Sequence, residues 1–365
     1  MKITENKSLL NFADLFEHEG KRLYIVGGFV RDRLLGKCEE NCTDIDLASS
    51  AKIEDLVEFS KDSGAIVTPL SKDLGVAKIY LDGKSYEHAT FRSEITRFNG
   101  QHYPEGVVFV ENIKEDSARR DFTINAIYYD INHERLVDFY NGQEDIKNKI
   151  IRIIGNPETR IKEDSERILR ALRLTFCLGF KIEDNLDLAI KTNANLLSSL
   201  KTARKSRELY KMLEDMQPNV KLFSVLMEYN CLQYLFPQIY GKILNNKKLI
   251  KVLDNIAAVK KELRLAFLID FCKTHAIEDE GVIGLMDYYI LNFKETENCK
   301  NMQKILKNIA FFAKKRIKSI DFKCYLSDNS VSFTDAIEIC QEIEKFYNIK
   351  RKAEIKKLNK MLLGK

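Results

Sequence analysis

Asp44 and Asp46 stand one residue apart in Thr43-Asp44-Ile45-Asp46-Leu47. On an extended strand, residues two apart face the same way, so both carboxylates project together while Ile45 and Leu47 face the other side. Adjacent carboxylates repel unless a cation joins them. Hard oxygen ligands of this kind suit Mg²⁺, which keeps waters and substrate phosphates as its remaining ligands. Upstream lies Gly27-Gly28-Phe29-Val30-Arg31-Asp32. Glycines at a strand-to-helix turn let the backbone approach a ligand closely and aim N–H groups at an anion. Arg31, one turn further on, offers a guanidinium suited to phosphate. Either motif alone is common. A Gly-Gly turn followed closely by Asp-x-Asp on a strand is much less so.

Two further groups carry chemistry. Arg120 and Asp121 are adjacent at the head of an apolar stretch. Asp121 can accept hydrogen bonds from ribose hydroxyls while Arg120 holds phosphate; the same pair also makes a local ion pair at a helix start. Between Asp164 and Arg173, a helical wheel places Arg167, Arg170 and Arg173 within an arc of about 120°. Ile168, Leu169, Leu172 and Phe176 lie mostly opposite. Asp164 sits one turn before Arg167, near the helix start. A carboxylate acceptor and a guanidinium donor at this spacing can together address the hydrogen-bonding edge of a base. The bland alternative is a solvated arginine face with an acid favoured by the helix dipole.

The elements that must position these residues follow from glycine, proline and apolar spacing. Leu23-Tyr24-Ile25-Val26 predicts a buried strand ending at Gly27-Gly28. Gly75 to Leu81 and Ser85 to Phe91 predict a hairpin across Asp82-Gly83. Ile150 to Ile154 predicts another strand, and from about Glu158 onward the period is helical. Eleven of the 16 glycines precede residue 156. The expected fold is α+β: a mixed sheet with helices over 1–155, a helical neck over 156–215 and a helical body and tail over 216–365.

In order along the chain, these motifs resemble the class II tRNA nucleotidyltransferase and bacterial poly(A) polymerase family of the DNA polymerase β superfamily. Arg22 to Ala48 resembles the family's first motif. Phe91-Arg92-Ser93-Glu94 and the stretch to Pro104 resemble its flexible segment. Arg119-Arg120-Asp121-Phe122-Thr123-Ile124-Asn125-Ala126 resembles the ribose motif, and Glu163 to Arg173 the base-selecting motif. Arg204 through Glu208-Leu209 is a looser match to the last. The resemblance implies template-independent, Mg²⁺-dependent addition of CCA to the tRNA 3′ end from CTP and ATP. It assigns Asp44 and Asp46 to metal and catalysis, and Gly28, Arg31, Arg120, Asp121, Asp164, Arg167, Arg170 and Arg173 to the nucleotide. The helical body would grip the RNA through phosphates and shape. CC-adding members are shortened between the positions of Phe91 and Arg119, and poly(A) polymerases carry a Gly-basic-basic-Phe signature that Ser71 to Ile79 lacks. CCA addition is therefore the favoured product; A addition and poly(A) synthesis are the enzyme alternatives. Outside enzymes, the alternative is a catalytically silent RNA-binding protein, whose usual mark is loss of a metal carboxylate; both are intact.

Composition narrows the rest. The chain of 365 residues is 45% hydrophobic and 31% charged, with net charge +5, as expected of a folded chain of two or three domains. No run of ~18 apolar residues marks a membrane span. Eight scattered cysteines without a Cys-x-x-Cys pair argue against a disulfide framework or zinc site and for a reducing cytoplasm. No His-Asp dipeptide suggests a phosphohydrolase. Lys350 to Lys365 holds seven Lys/Arg against one acid, Glu354, and Lys314-Lys315-Arg316 forms a second knot; both are candidate phosphate contacts or solvated faces. Glu87 is either a third carboxylate or a solvent-facing strand residue. His88 and His102 are open between structure and catalysis, and Cys38 and Cys42 are incidental.

Overall fold

The computed structural model describes residues 6–37, 45–95, 105–259, 261 and 264–293. Asp44, Cys38, Cys42, His102 and both basic segments beyond residue 300 lie outside these residues.

The first half builds one seven-stranded mixed sheet. Helix α1 (Lys7–His18) precedes β1 (Tyr24–Val26), α2 (Gly28–Leu34), β2 (Ile45–Ser49), α3 (Ile53–Ser63), β3 (Ile66–Ser71), β4 (Val76–Leu81) and β5 (Lys84–Thr90). A separate ribbon of β6 (Arg92–Ile95) and β7 (Gly106–Phe109) is followed by α4 (Ile113–Arg119), β8 (Tyr128–Asp130), β9 (Arg135–Val137) and α5 (Gly142–Asn148). The sheet order is β3-β4-β5-β2-β1-β8-β9. Only β2 and β5 pair in parallel; the other neighbours are antiparallel. The β4–β5 hairpin turns as expected at Asp82-Gly83, where both residues have positive φ, 50° and 70°. That handedness matches the strand twist and explains an Asp-Gly pair there.

The two faces of the sheet differ. On one, Phe12 and Phe16 of α1 meet Phe59 of α3 above Leu47 and His88, all buried. His88 is fully buried, shares a 2.7 Å hydrogen bond with the Ser49 hydroxyl and stacks beside Phe16. It belongs to the core. Burial, opposed only in part by the charge of Asp116, pushes its imidazole down to about 3. Below the free-histidine value of about 6.5, the unfolded chain binds a proton that the folded chain refuses. Stability therefore falls as the pH drops from about 6.5 towards 3, by about 2 kcal/mol at pH 5. A His88→Gln variant should lose melting temperature less steeply than wild type between pH 7 and pH 5; parallel curves would remove His88 from this account.

The opposite face is half covered. Tyr24, Val26, Ala48, Phe91 and Tyr128 pack under Ile113 of α4. Beyond them, toward β5 and β4, Asp46 and Glu87 are exposed.

After β10 (Ile150–Ile151) the chain runs through α6 (Pro157–Glu163), α7 (Glu166–Leu178), β11 (Lys181–Ile182) and α8 (Asp184–Asn193). The strand expected over Ile150 to Ile154 is thus two residues, plus a single bridge from Ile153 to Phe122. Its parallel partner β11 lies in a stretch read as helical. A two-residue strand has no periodicity to read.

The remaining described chain is helical: α9 (Thr202–Asp215), α10 (Leu222–Glu228), α11 (Leu232–Leu235), α12 (Pro237–Asn245), α13 (Lys248–Asp254), α14 (Arg264–Thr274) and α15 (Glu280–Phe293). Two buried charges organise it. The Arg264 guanidinium donates to the carbonyls of Leu213 and Met216 at the end of α9, and to Ala257 and Val259. The Asp279 carboxylate accepts from the amides of Gln238 and Ile239 at the start of α12, and of Gly281 and Val282 at the start of α15. Both satisfy helix-end groups that have no intrahelical partner. The chain divides into two compact units, Met1–Arg167 with Phe180–Asn193, and Ile168–Gly179 with Ala194–Lys365.

Candidate active site

Residues on paired strands that face each other across the ladder share one face. Asp46 is opposite Val26 on β1 and Glu87 on β5, and Val26 is opposite Tyr128 on β8. Glu87, Asp46, Val26 and Tyr128 therefore form a row across this face, exposed at Glu87 and Asp46 and buried at Val26 and Tyr128. At ~4.8 Å per strand, Glu87 stands one strand spacing from Asp46. The pairing that makes them neighbours is the parallel one between β2 and β5, which periodicity could not reveal.

Gly27, the residue after β1, has φ +85° and lies so close to Asp46 that a Cβ would sit 3.1 Å from its Oδ2. The positive φ favours glycine, and any side chain would also press on the Asp46 carboxylate. Gly28 opens α2, and a Cβ there would touch the Arg31 guanidinium at 3.4 Å. Sequence reasoning had singled out Gly28; Gly27 is the glycine that shapes the carboxylate's surroundings. Arg31 is doubly bonded to Asp32 at 2.8 Å and donates its third contact to the Asn125 side chain at 2.7 Å. It thus ties the glycine turn to the ribose-type motif.

Arg120 follows α4. Its Nε donates to the Tyr128 hydroxyl at 2.7 Å, its Nη2 reaches Asp116 at 3.3 Å, and its guanidinium lies 4.9 Å from the Tyr128 ring centre. Burial alone would lower its pKa, but Tyr128, Asp116 and the charge of Asp46 hold it above the ordinary arginine value. Arg120 remains a cation, within electrostatic reach of Asp46. Asp121 Oδ1 accepts from the amide of Phe122 at 2.8 Å, and Thr123 accompanies it at the start of a short turn that α5 packs against. A Cβ on Gly142 of α5 would sit 2.2 Å from the Thr123 carbonyl oxygen. Gly142→Ala should therefore cost at least ~2 kcal/mol, since backbone must move. It should also weaken nucleotide binding, because the displaced backbone carries Asp121; unchanged melting and affinity would count against this packing.

Asp164 departs from its expected helical position. It caps α6 with extended backbone, φ −147°, and α7 begins two residues later. Its Oδ1 accepts from the amide of Glu166 at 3.1 Å, so it joins two helices rather than preceding Arg167 within one. Arg167 is buried, not on a solvated face. Its Nη1 donates to the Arg160 carbonyl and to Glu163 at 3.1 Å. Arg160 in turn bonds Glu163 at 2.6 Å and the carbonyls of Arg119 and Arg120 at 2.7 and 3.0 Å. The base-edge candidate Arg167 and the phosphate candidate Arg120 are thus linked through Arg160. Arg170 and Arg173 lie further along α7, in the other compact unit; Arg173 pairs with Glu208 at 2.8 Å.

Asp46 with Glu87 supplies hard oxygen donors on an exposed face beside a glycine turn, with a cation, Arg120, held nearby. This donor set fits a divalent metal ion. Among the described residues no group of three or more His, Cys, Asp or Glu converges; Asp44, two residues before Asp46, lies outside them.

A mixed sheet carrying an exposed carboxylate next to a glycine turn, followed by helices, defines a nucleotidyltransferase head of the polymerase-β type. The family model described as the poly A polymerase head domain matches residues 23–152. A second, described as a probable RNA and SrmB-binding site of polymerase A, matches 179–242. Over these residues the chain is therefore similar to the head and RNA-binding domains of poly A polymerases. It is 41% identical over 196 residues to a CCA-adding enzyme of Lactobacillus helveticus, covering 54% of this chain and 47% of that one. To a CCA-adding enzyme of Bacillus pumilus it is 38% identical over 203 residues, 55% and 48% of the two chains. In these matches the chain spans about half the length of the curated relatives. Its structure resembles the CTP complex of the Bacillus stearothermophilus CCA-adding enzyme, with TM-score 0.73, 26% identity and coverage of 98% of this chain and 82% of that one. It also resembles a tRNA-processing enzyme with CTP, at TM-score 0.52, 25% identity and coverage of 95% and 80%. No helix among the described residues is long and apolar enough to cross a membrane.

Proposed function

We propose that the protein adds nucleotides, as CCA, to the 3′ end of tRNA from CTP and ATP without a template. The observation that carries this reading is the row Glu87–Asp46–Val26–Tyr128: two carboxylates stand side by side at its exposed end, and the Tyr128 hydroxyl at its buried end holds the Arg120 guanidinium. The terminal 3′ oxygen of the RNA attacks the α-phosphorus of the nucleotide, a new P–O bond forms, the α–β phosphoanhydride breaks, and pyrophosphate leaves. Asp44 and Asp46 would hold a divalent metal, with Mg²⁺ the ion that best matches a carboxylate-and-phosphate ligand set. When bound, it supplies Lewis-acid polarisation and lowers the pKa of the attacking hydroxyl.

The remaining work falls to the protein. Gly28 allows close backbone approach to the triphosphate, and Arg31 and Arg120 supply positive charge to it. Asp121 accepts from ribose hydroxyls. Asp164 and Arg167 read the base edge, and Arg170 and Arg173 complete the nucleotide contacts. Residues 1–155 serve as catalytic head, 156–215 as base-selecting neck and 216–365 as the part that grips RNA. Incorporation of labelled CTP or ATP into RNA should require added Mg²⁺ and vanish with chelator. Full activity in chelator would exclude the mechanism.

A further inference from the structure

We propose that the buried pair Asp116 and Tyr128 is a positioning device for Arg120, setting its guanidinium toward the triphosphate beside Asp46. This rests on the nucleotidyltransferase reading and adds to it two residues outside the nucleotide-contact set. Asp116 and Tyr128 are both fully buried. Tyr128 lies in the same cross-strand row as Asp46, with Val26 between them. Its hydroxyl donates to Asp116 Oδ2 at 2.5 Å and accepts from Arg120 Nε at 2.7 Å. The same carboxylate oxygen takes Arg120 Nη2 at 3.3 Å. Arg120 is therefore held at two nitrogens and over the tyrosine ring, which leaves its guanidinium a single orientation.

The other oxygen of Asp116 does different work. Oδ1 accepts from Arg119 Nε at 2.8 Å and from the Arg92 amide at 3.2 Å, where β6 begins. One carboxylate thus joins the last turn of α4, the first residue of β6 and the tyrosine of β8. Two more contacts close the cluster: Glu94 takes Arg92 Nε at 2.9 Å and Arg119 at 3.5 Å. Three arginines face two carboxylates here. The surplus positive charge is what a site for a polyanionic nucleotide needs, and Asp116 keeps it from being scattered by mutual repulsion. A buried carboxylate with this many charge-assisted partners is fixed in place. If Asp116 served only to hold the fold, Arg120 alone would not need to be the shared partner of both buried groups.

The test uses the full chain and the variants Tyr128→Phe, Asp116→Asn and Arg120→Ala, alone and in pairs. Four quantities are read: KM and kcat for CTP and ATP on tRNA lacking its CCA end, CTP affinity by calorimetry, and melting temperature. Tyr128→Phe keeps the ring and its packing, so it isolates the hydroxyl. It should raise KM and the CTP dissociation constant roughly tenfold, the scale of one lost hydrogen bond to a charged group. Melting should fall by a few degrees as well, because the buried Asp116 carboxylate loses the same partner; the rise in KM is what a purely structural role would not give. In the Arg120→Ala background, Tyr128→Phe or Asp116→Asn should change KM less than about twofold, because residues acting through one partner are not additive. Full additive losses in that background would overturn the proposal, as would an unchanged KM and affinity in Tyr128→Phe. A fall in melting temperature with unmoved KM would also contradict it. Wild type that neither binds CTP nor extends RNA would instead remove the nucleotidyltransferase reading, and this inference with it.

Discussion

Replacing Asp46 with alanine should abolish nucleotide incorporation, by about a thousandfold or more, and leave the protein folded. The size follows from the loss of a metal ligand: Lewis-acid stabilisation is worth several kcal/mol, and each ~1.36 kcal/mol is a factor of ten in rate. The fold should survive because Asp46 is exposed on the open face and its removal relieves repulsion with Glu87 alongside. Asp44→Ala should behave in the same way. The Asp46→Ala protein should therefore melt within a few degrees of wild type and still bind CTP weakly through Arg120 and Arg31. Near wild-type incorporation with Mg²⁺ as the sole divalent ion would remove Asp46 from the mechanism. Melting far below wild type would show that the carboxylate holds structure instead.

Replacing Arg167 with alanine should blunt discrimination among CTP, ATP, UTP and GTP by up to about a hundredfold, since a hydrogen bond lost at a desolvated site costs ~1–3 kcal/mol. Arg167 is buried and oriented by the Arg160 carbonyl and by Glu163. Those contacts hold it without saturating a five-donor guanidinium. Glu163 keeps its 2.6 Å partner Arg160 in the variant, so the local structure retains its charge balance. Overall triphosphate affinity should fall less than selectivity, because the phosphate cations are untouched. If all four nucleotides weaken equally and their ratios hold, Arg167 contacts phosphate or supports structure, and base reading must be assigned elsewhere.

Much of this site was legible in the sequence because it is local. The Gly-Gly turn after a short apolar strand and the Asp-Gly hairpin are each set by a few neighbouring residues, whereas the facing expected of Asp44 and Asp46 lies outside the described residues. Glu87 could not be assigned, since its place beside Asp46 depends on the parallel pairing of two strands far apart in sequence. Asp116 and Tyr128 gave no signal either: a buried acid on a short helix looks like an exposed one until the tertiary partners are known. Asp164 was placed within a helix because a helical wheel continues its period through any residue. An acid ahead of Ser165-Glu166 is equally a helix-start signal, and the structure uses it that way. The helical wheel leaves Arg167 open between a base contact and a solvated arginine face; paired with Glu163 and a carbonyl it is buried, which periodicity alone does not show.

The most direct measurement of the central claim is the product ladder from purified protein, Mg²⁺, labelled CTP and ATP, and tRNA lacking its CCA end. Three discrete additions are expected, two cytidines followed by one adenosine, and then a stop. A single adenosine added to tRNA ending in CC would indicate an A-adding enzyme, and a long adenosine ladder a poly(A) polymerase. No extension of any RNA, from a folded protein that binds the tRNA, would contradict the account.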